Sequence, residues 1–430
     1  MKVLHINTGQ TGGASICAIR ISNALRQQGI ESRLLVQAGE SHDEITVAEK
    51  DRPFLDRNNI LIKIKHLLTR LGLYEDEDSL WYKRSQTMPN ANDVVYTNVP
   101  LTSYKNIAHH PLVEWADVIH LHWVACFVDY PTFFKEVKKP IVWTLHDHYP
   151  AIGIMHFCSE HSPLPQQLVE FDRKCLEIKK KALHRRLHEY KEGGRKEYGV
   201  YPVAISEMMR GIIGNSEILG DFPCTLIHNG VDTTVFRDYN NEYPNKGKGY
   251  ITFLFSSFGL WVERKGLKRI LKALEQLQDE IELKIRLICV GDNEGTKPVS
   301  EKIEIIETGL VGDNTEMSHL YSQADFYIQA SYHEAFSQTN LEAMACGTPV
   351  VSTPCSGASD LLRPFNGVLC DGFEPADLVS GMRKALAQKY DRKAIRDYII
   401  ENYDYTVIAK QYIELYKKVM LNKADESTLQ

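Results

Sequence analysis

The stretch "HEAFSQTNLEAMACGTPVV", residues 333–351, decides how the rest of the chain is interpreted. It places Glu334 and Glu342 eight positions apart, ahead of small apolar residues and a β-branched run. Within one helix, eight residues would separate the two carboxylates by roughly 12 Å along the axis and about 80° around it. We therefore predict that Glu334 lies in a loop after the strand 325–331. Glu342 then lies in the following helix, capped by Ser337 or Thr339.

Working outward from this stretch, short apolar runs alternate with helical patterns along all 430 residues. The runs at 116–123, 141–147 and 251–257 each end in polar residues, which is typical of buried parallel strands whose carboxyl ends open onto a site. The pattern predicts an α/β fold of two Rossmann-like, doubly wound parallel-sheet domains. We predict domains at 1–240 and 241–404, and a C-terminal helix at 405–430 that can return to the N-terminal domain. Residues 41–110 give no clear pattern.

Composition and charge exclude several classes of protein. The net charge of −6 argues against a nucleic-acid partner, because such proteins are usually basic. The nine cysteines form no C-x-x-C pair, which suits a reducing compartment. The chain shows no basic-then-apolar leader and no apolar run of membrane-spanning length. We therefore expect a cytoplasmic protein.

The loop before the helix of Glu342 is predicted to bind an anion. The backbone amides of Phe336, Ser337 and Gln338 would lie at the positive end of the helix dipole. Arg264 and Lys265, in "ERKG" at 263–266, follow another strand and could supply cations to a diphosphate. A nucleotide-sugar, with hydroxyls at both ends and a diphosphate between, fits this pattern. The alternative is an ordinary amphipathic helix with one capping glutamate and one surface glutamate.

The order of motifs carries a family resemblance. The motifs are "HNGVD" (228–232), "ERKG", "VGDNEG" (290–295), the E-x7-E pair, "GTPVVST" (347–353) and "NGVLC" (366–370). This series resembles the retaining glycosyltransferases of family four, whose GT-B fold has two Rossmann-like domains facing across a cleft. The N-terminal half resembles the family more loosely, through "TGGAS", "ADVIHLHW" and "WTLHD".

The resemblance implies an enzyme that moves a hexose from a UDP- or GDP-sugar to a glycan or lipid-linked glycan, in surface polysaccharide biosynthesis. Domain 1–240 would face the acceptor, and 241–404 would bind the nucleotide-sugar with no cofactor required. The implied catalytic residues are Glu334 at the donor sugar, Lys265 at the diphosphate and His146 in the sugar pocket. The implied binding residues are Arg264, Glu342 at the ribose, Phe336, Ser337, Gln338, Gly12, Gly13 and Asn229.

Two positions depart from the family pattern. Leu260 stands where many members have an arginine, which leaves Arg264 as the nearby replacement. Asp360 stands where a glutamate is common. The loop with Gly12 and Gly13 is either an acceptor- or phosphate-facing loop or a plain tight turn. Two other functions stay open: a nucleotide-sugar epimerase or hydrolase, because a fold does not fix the reaction, and a non-catalytic partner subunit, because of the altered arginine position.

Two further clusters invite functional interpretations. His120, His122, His146, Asp147 and His148 lie at strand ends, but buried histidines are more often hydrogen-bonded than metal-bound, so we expect no metal. Cys158 and Cys175 are too isolated for zinc.

Residues 172–196 hold ten basic and four acidic residues, and 59–72 is also basic and apolar. Segment 172–196 is either a solvated helical face or a reversible contact with an anionic membrane.

Overall fold

The computed structural model describes residues 1–49, 104–157, 164, 166–239, 249–293 and 300–420. The basic segment 59–72, Cys158 and the predicted domain boundary at 240 lie outside these ranges. The chain divides into two compact units. The first comprises Met1–Val203, Ile212–Thr225 and Glu414–Gln430, and the second comprises Ala204–Gly211 and Leu226–Ile413.

The first unit is built on a seven-stranded parallel sheet in the order β3-β2-β1-β4-β5-β6-β7. Its strands are β1 (Lys2–Asn7), β2 (Glu31–Val36), β3 (Ile45–Val47), β4 (Val118–Leu121), β5 (Ile141–Leu145), β6 (Val200–Ala204) and β7 (Thr225–Leu226). The helices are α1 (Gly13–Gln27), α2 (Pro111–Trp115), α3 (Tyr130–Glu136), α4 (Val169–Lys191) and the last residues of α5 (Glu207–Gly214), whose residues 207–211 belong to the second unit.

The strand order of this sheet reverses at β1, which pairs with β2 on one side and with β4 on the other. Ligands of open α/β sheets bind at the carboxyl ends of the strands at such a point. Asn7 ties the two sides together there: its Nδ2 donates to Ser15 Oγ at 2.8 Å, and its Oδ1 accepts from the backbone N–H of Trp123 at 3.0 Å.

The second unit is built on a six-stranded parallel sheet in the order β10-β9-β8-β11-β12-β13. Its strands are β8 (Tyr250–Gly259), β9 (Lys284–Asp292), β10 (Ile303–Gly309), β11 (Phe326–Gln329), β12 (Val350–Ser352) and β13 (Gly367–Leu369). The helices are α6 (Leu267–Gln278), α7 (Asn314–Gln323), α8 (Gln338–Ala345), α9 (Ala358–Leu361), α10 (Pro375–Leu386), α11 (Arg392–Tyr403) and the first part of α12 (Tyr405–Met420), whose residues from 414 on belong to the first unit.

Helix α6 shows why the apolar periodicity of this half produces its layers. The leucines and isoleucine that recur at helical spacing are all buried in the core of this unit: Leu267, Ile270, Leu271, Leu274 and Leu277. Burying such side chains contributes roughly 1.5–3 kcal/mol each. The prediction of two doubly wound parallel-sheet domains is confirmed.

The helices in the described part of the chain include none that combines the length and apolar character needed to cross a membrane. The cysteines in the described part of the chain form no disulfide with one another.

Candidate active site

The strand order of the second sheet reverses between β8 and β11, and three predicted site residues meet there. The chain leaves β8 through a short turn that carries Arg264 and Lys265, and it leaves β11 through the loop that carries Glu334. Lys265 Nζ donates to Glu334 Oε1 at 2.6 Å, and Arg264 Nη1 lies 4.0 Å from the same oxygen. Two cations and a carboxylate therefore stand together at the carboxyl edge, where ligands of such sheets bind.

The charge state of Glu334 follows from this cluster. Burial by itself would raise the pKa of its carboxyl group, but the Lys265 ammonium and the Arg264 guanidinium outweigh that effect and lower the pKa. Ser331 Oγ adds a hydrogen bond at 2.8 Å. Glu334 is therefore an ionised, oriented hydrogen-bond acceptor at neutral pH. A carboxylate poised to act as a general acid would need the opposite shift.

Leu260 and Arg264 occupy different environments at the first departure from the family pattern. Leu260 is fully buried in the core, so no charged group stands at that position. Arg264 Nη1 donates to the backbone oxygen of His333 at 3.1 Å, next to Glu334. Arg264 therefore lies at this edge of the sheet beside Glu334, and the buried Arg269 also reaches the end of β11, where it donates to the backbone oxygen of Ala330.

The two glutamates occupy the elements predicted for them, with Glu334 in the loop after β11 and Glu342 inside α8. Glu342 is half-buried and accepts a hydrogen bond from Tyr321 Oη at 3.3 Å. The predicted capping was wrong. Ser337 occupies the N-cap position but makes no capping hydrogen bond, and Thr339 lies inside the helix.

Ser337 makes its hydrogen bond to Gln329, a residue that was not predicted from the sequence, and not to the start of α8. Its Oγ donates to Gln329 Oε1 at 2.7 Å, and Asn340 Nδ2 donates to the same oxygen at 2.9 Å. Gln329 is the buried last residue of β11. The signal in the sequence is a polar residue at the end of an otherwise apolar strand. Because Ser337 is engaged elsewhere, the first-turn amides of α8 are left without a side-chain cap, as an anion site requires.

The motif "HNGVD" packs against the start of α8. The Phe336 and His228 rings stack with centroids 5.4 Å apart, and Gln338 Nε2 donates to the backbone oxygen of Gly230 at 2.8 Å. Asn229 is buried, and its Oδ1 has no hydrogen-bond partner among the described residues. These predicted binding residues are therefore neighbours in space. Asn229 keeps one buried acceptor available.

Gly357 and Asp360, which follow β12 in the chain, lie beside the same region. Gly357 has φ +68°, and a Cβ there would approach Phe336 Cα to 2.8 Å. Both the backbone conformation and the close approach favour glycine. Asp360 accepts from the backbone N–H of Glu207 at 2.7 Å and lies 3.9 Å from His228 Nδ1. The shorter aspartate therefore anchors backbone beside the site.

In the first unit, the predicted residues lie at the carboxyl ends of β1 and β5. Gly12 has φ +87° and directly precedes α1, whose first residue is Gly13. A left-handed residue at this position favours glycine. His146 directly follows β5 and is half-buried. Burial lowers the pKa of His146 to about 4, so its imidazole is neutral at pH 7.

His146 ends a cluster of histidines. His5, His120 and His122 have ring nitrogens within 4.8 Å of one another, a spacing that a metal ion could use. However, His5 Nδ1 and His122 Nε2 are hydrogen-bonded at 2.8 Å. His120 is already bonded through both nitrogens, to Tyr416 Oη at 2.7 Å and Thr144 Oγ1 at 2.8 Å. A metal would have to break these bonds, so the arrangement fits a hydrogen-bonded cluster better than a metal centre.

The basic segment 172–196 contains both buried and exposed basic side chains. Lys179 and Arg186 are fully buried. Lys179 Nζ donates to the backbone oxygens of Ile152 and Gly153 at 3.0 and 2.6 Å, and Arg186 Nε donates to that of Tyr198 at 3.1 Å. The expectation that both belong to a solvent-facing basic surface was wrong, because their charges are used to hold backbone carbonyls.

Comparisons with known proteins give a family match for the second half of the chain and several relatives. Residues 241–402 match the family model of glycosyl transferases group 1. A relative from Campylobacter jejuni is N,N'-diacetylbacillosaminyl-diphospho-undecaprenol alpha-1,3-N-acetylgalactosaminyltransferase. It is 26% identical over 170 residues, or 38% of this chain and 43% of the relative. The matches span less than two thirds of the length of each of the first curated relatives.

Two solved structures share the fold. Sucrose-phosphate synthase of Thermosynechococcus elongatus superposes with a TM-score of 0.62 at 15% identity, covering 97% of this chain and 99% of the other. HepE of Anabaena, solved with UDP and glucose, gives a TM-score of 0.58 at 15% identity, with 97% and 99% coverage. The predicted GT-B fold is confirmed.

Proposed function

We propose that this chain, which carries a group-1 glycosyl transferase domain at residues 241–402, moves a hexose from a nucleotide-sugar to a glycan or lipid-linked glycan. The observation that carries the proposal is the meeting of Lys265, Arg264 and Glu334 at the strand-order reversal of the second sheet, beside the uncapped start of α8. A diphosphate needs such cations and amides, and a sugar needs such an acceptor.

In this proposal, each group has one task. Lys265 and Arg264 neutralise the departing diphosphate together with the first-turn amides at Phe336, Ser337 and Gln338. Glu342, one to two turns further along α8, accepts hydrogen bonds from the ribose. Glu334 accepts them from the donor sugar, which its ionised state permits. Asn229, with its unpaired Oδ1, offers a further acceptor to the bound donor.

The reaction breaks the bond between the anomeric carbon and the diphosphate oxygen, and it forms a bond from that carbon to an acceptor hydroxyl. The electron pair of the broken bond leaves with the nucleoside diphosphate, whose phosphate oxygen takes the acceptor's proton. Glu334 is held by Lys265 and Ser331, which suits an orienting group better than a covalent nucleophile. We therefore propose attack on the face that the diphosphate leaves, with retained configuration and no cofactor.

The donor and acceptor classes are supported by what the related proteins are named for. HepE of Anabaena was solved with UDP and glucose, which supports a UDP-sugar here, with a GDP-sugar as the alternative. The Campylobacter relative acts on a diphospho-undecaprenol sugar, which supports a lipid-linked glycan acceptor and a role in surface polysaccharide synthesis. No specific observation favours the epimerase, hydrolase or non-catalytic alternatives.

A lipid-linked acceptor would require the protein to work at a membrane surface in the cytoplasm. We propose reversible, salt-sensitive attachment through the exposed basic residues of α4, with Lys180, Lys181 and Arg185 as the main contributors. Lys179 and Arg186 take no part, since they are buried.

The test is a thermal-shift screen of UDP-, GDP-, ADP- and TDP-sugars, followed by product analysis with and without acceptor. A ligand that binds only the folded state raises its melting temperature. We expect one nucleotide class to stabilise the wild-type protein and to stabilise Lys265→Ala much less. Formation of a new glycosidic product only with acceptor supports transfer. Epimerised or hydrolysed sugar without acceptor would support the alternative, and binding without turnover would support a non-catalytic subunit.

A further inference from the structure

Three histidines of the first unit form a continuous hydrogen-bonded chain that ends at His146. His5 Nδ1 lies 2.8 Å from His122 Nε2, and His122 Nδ1 lies 3.0 Å from His146 Nε2. His5 and His122 are buried, whereas His146 is half-buried at the carboxyl edge of the sheet. Parallel pairing of β1 with β4, and of β4 with β5, aligns the three rings on one face of the sheet.

Each link of this chain needs one protonated and one bare nitrogen. Burial lowers the pKa of His5 to about 3 and that of His122 well below its usual value, so each imidazole is neutral and carries a single proton. The protons must therefore all point the same way along the chain. In one arrangement every Nδ1 is protonated, and in the other every Nε2 is protonated.

The inner end of the chain distinguishes the two arrangements. His5 Nε2 is buried and has no hydrogen-bond partner among the described residues. If every Nε2 were protonated, this atom would be a buried N–H without an acceptor, which is the rarer kind of unsatisfied group. If every Nδ1 is protonated instead, His5 Nε2 carries no proton and is only a bare nitrogen. The outer end then differs as well, since His146 Nδ1 carries a proton and has no partner among the described residues.

We propose that His5 and His122 are positioning residues that fix the proton of His146 on Nδ1, so that His146 donates a hydrogen bond to an oxygen of the bound substrate. This inference rests on the proposed function for its substrate, a sugar hydroxyl or phosphate oxygen. It assigns to His146 the role of a fixed donor. With its Nε2 occupied by His122, His146 has no bare nitrogen with which to act as a general base.

The first test is nuclear magnetic resonance of the full-length protein labelled with ¹⁵N in its histidine rings, with His146→Gln used to assign the His146 signals. We expect His146 to show a protonated Nδ1 and a bare Nε2 in the ligand-free wild type at pH 7.5. A bare Nδ1 with a protonated Nε2 would overturn the proposal. This measurement requires no enzymatic activity.

The second test uses two substitutions at the buried inner end. His5→Leu removes the donor to His122, whereas His5→Asn places an amide N–H near the position of Nδ1. We expect His146 to become a mixture of tautomers in His5→Leu and to keep its Nδ1 proton in His5→Asn. Tyr416→Phe is the matched control, because it removes a hydrogen bond from the neighbouring His120, outside the chain. An unchanged His146 tautomer in His5→Leu would overturn the proposal, and if His5→Leu fails to fold, the wild-type spectrum decides.

A kinetic measurement separates this inference from the proposed function. With the donor found in the screen, His5→Leu should lower kcat/KM by about tenfold, the scale of one hydrogen bond, and His5→Asn should recover most of it. A wild-type protein that shows the expected tautomer but transfers no sugar would contradict the proposed function and leave the positioning role standing. Equal kinetics in His5→Leu and His5→Asn would contradict the positioning role alone.

Discussion

Lys265 is the residue on which the diphosphate assignment depends most. We expect Lys265→Ala to lower kcat/KM by at least about 100-fold, roughly 3 kcal/mol, because a preorganised charge is lost where the leaving group develops its own. Arg264→Ala should cost less, since its guanidinium is also held by the backbone of His333. Lys268→Ala is the matched control, because that lysine is exposed and its ion pair within the described part of the chain is with Glu263 at 3.4 Å. Wild-type rates for both Lys265→Ala and Arg264→Ala would remove the phosphate assignment.

Substitutions at the two glutamates should affect different steps, nucleotide binding in one case and turnover in the other. We expect Glu342→Gln to weaken binding of the nucleoside diphosphate itself, because the ribose is present in both donor and product. Glu334→Gln should leave that affinity nearly unchanged and reduce turnover, because only the donor carries the sugar. Titration calorimetry with the nucleoside diphosphate, alongside steady-state kinetics, measures both effects. The reverse pattern would exchange the two roles.

Contacts between residues that each directly follow a strand can be predicted from the sequence. Contacts that depend on which strands are neighbours, and in which register, cannot. The meeting of Glu334 with Lys265 was predictable, because each follows a strand and carboxyl ends of parallel strands share an edge. The link from His5 to His122 was not, because it requires β1 and β4 to be neighbours in a particular register. Gln329 was missed for a similar reason, since its partners come from two separate segments, the start of α8 and the end of β12.

The start of α8 depends on Gln329. Its Oε1 accepts from Ser337, Asn340 and Ser352 at 2.7, 2.9 and 3.2 Å, all within the buried interior. We expect Gln329→Leu to lower the free energy of unfolding by about 2–4 kcal/mol, because buried donors that lose their acceptor cost roughly 1–3 kcal/mol each. Urea denaturation measures this loss. Gln388→Leu is the control, at an exposed glutamine, and an equally small effect in both variants would show that the cluster contributes little.

Element types were more predictable than the details of their ends. The apolar spacing of α6 and the polar ends of β8 and β11 identified helix, strands and edge correctly. The capping of α8 was mispredicted because a serine at an N-cap position ordinarily bonds its own helix. Here the hydroxyl instead bonds Gln329, which a local pattern cannot reveal.

At the scale of the whole molecule, the buried histidines should make stability sensitive to pH. The pKa values of His5, His120, His122 and His146 are all lowered by burial. Below pH 6.5 the unfolded chain binds protons that the folded chain does not, so stability falls as pH falls. Each histidine contributes roughly 1.4 kcal/mol per pH unit.

Melting temperatures measured between pH 6.5 and 5 check this dependence, because carboxyl groups and lysines with ordinary pKa values titrate outside that window. We expect a steep decline in the wild type and a shallower one in His5→Asn, which lacks one of the four histidines. A melting temperature that stays constant across this range would contradict neutral burial of the cluster.

The proposed membrane attachment would rest on exposed basic residues of α4. Each basic residue near an anionic surface contributes about 1 kcal/mol, and salt screens it. The exposed Lys180, Lys181 and Arg185 of α4 could therefore contribute about 3 kcal/mol, roughly 100-fold in affinity. We expect full-length protein to co-sediment with vesicles of phosphatidylglycerol at low salt and to be released at high salt.

The decisive comparison replaces those three residues with glutamine and leaves Lys179 and Arg186 intact, because changing the buried pair would unsettle the fold rather than the surface. A control variant changes three exposed lysines elsewhere, at Lys393, Lys417 and Lys418, so that the net charge falls equally. Loss of binding only in the α4 variant locates the contact. Equal loss in both variants would mean that net charge, and not this segment, causes the binding. Wild-type protein that stays in the supernatant at low salt would identify segment 172–196 as a solvated face that also holds backbone carbonyls.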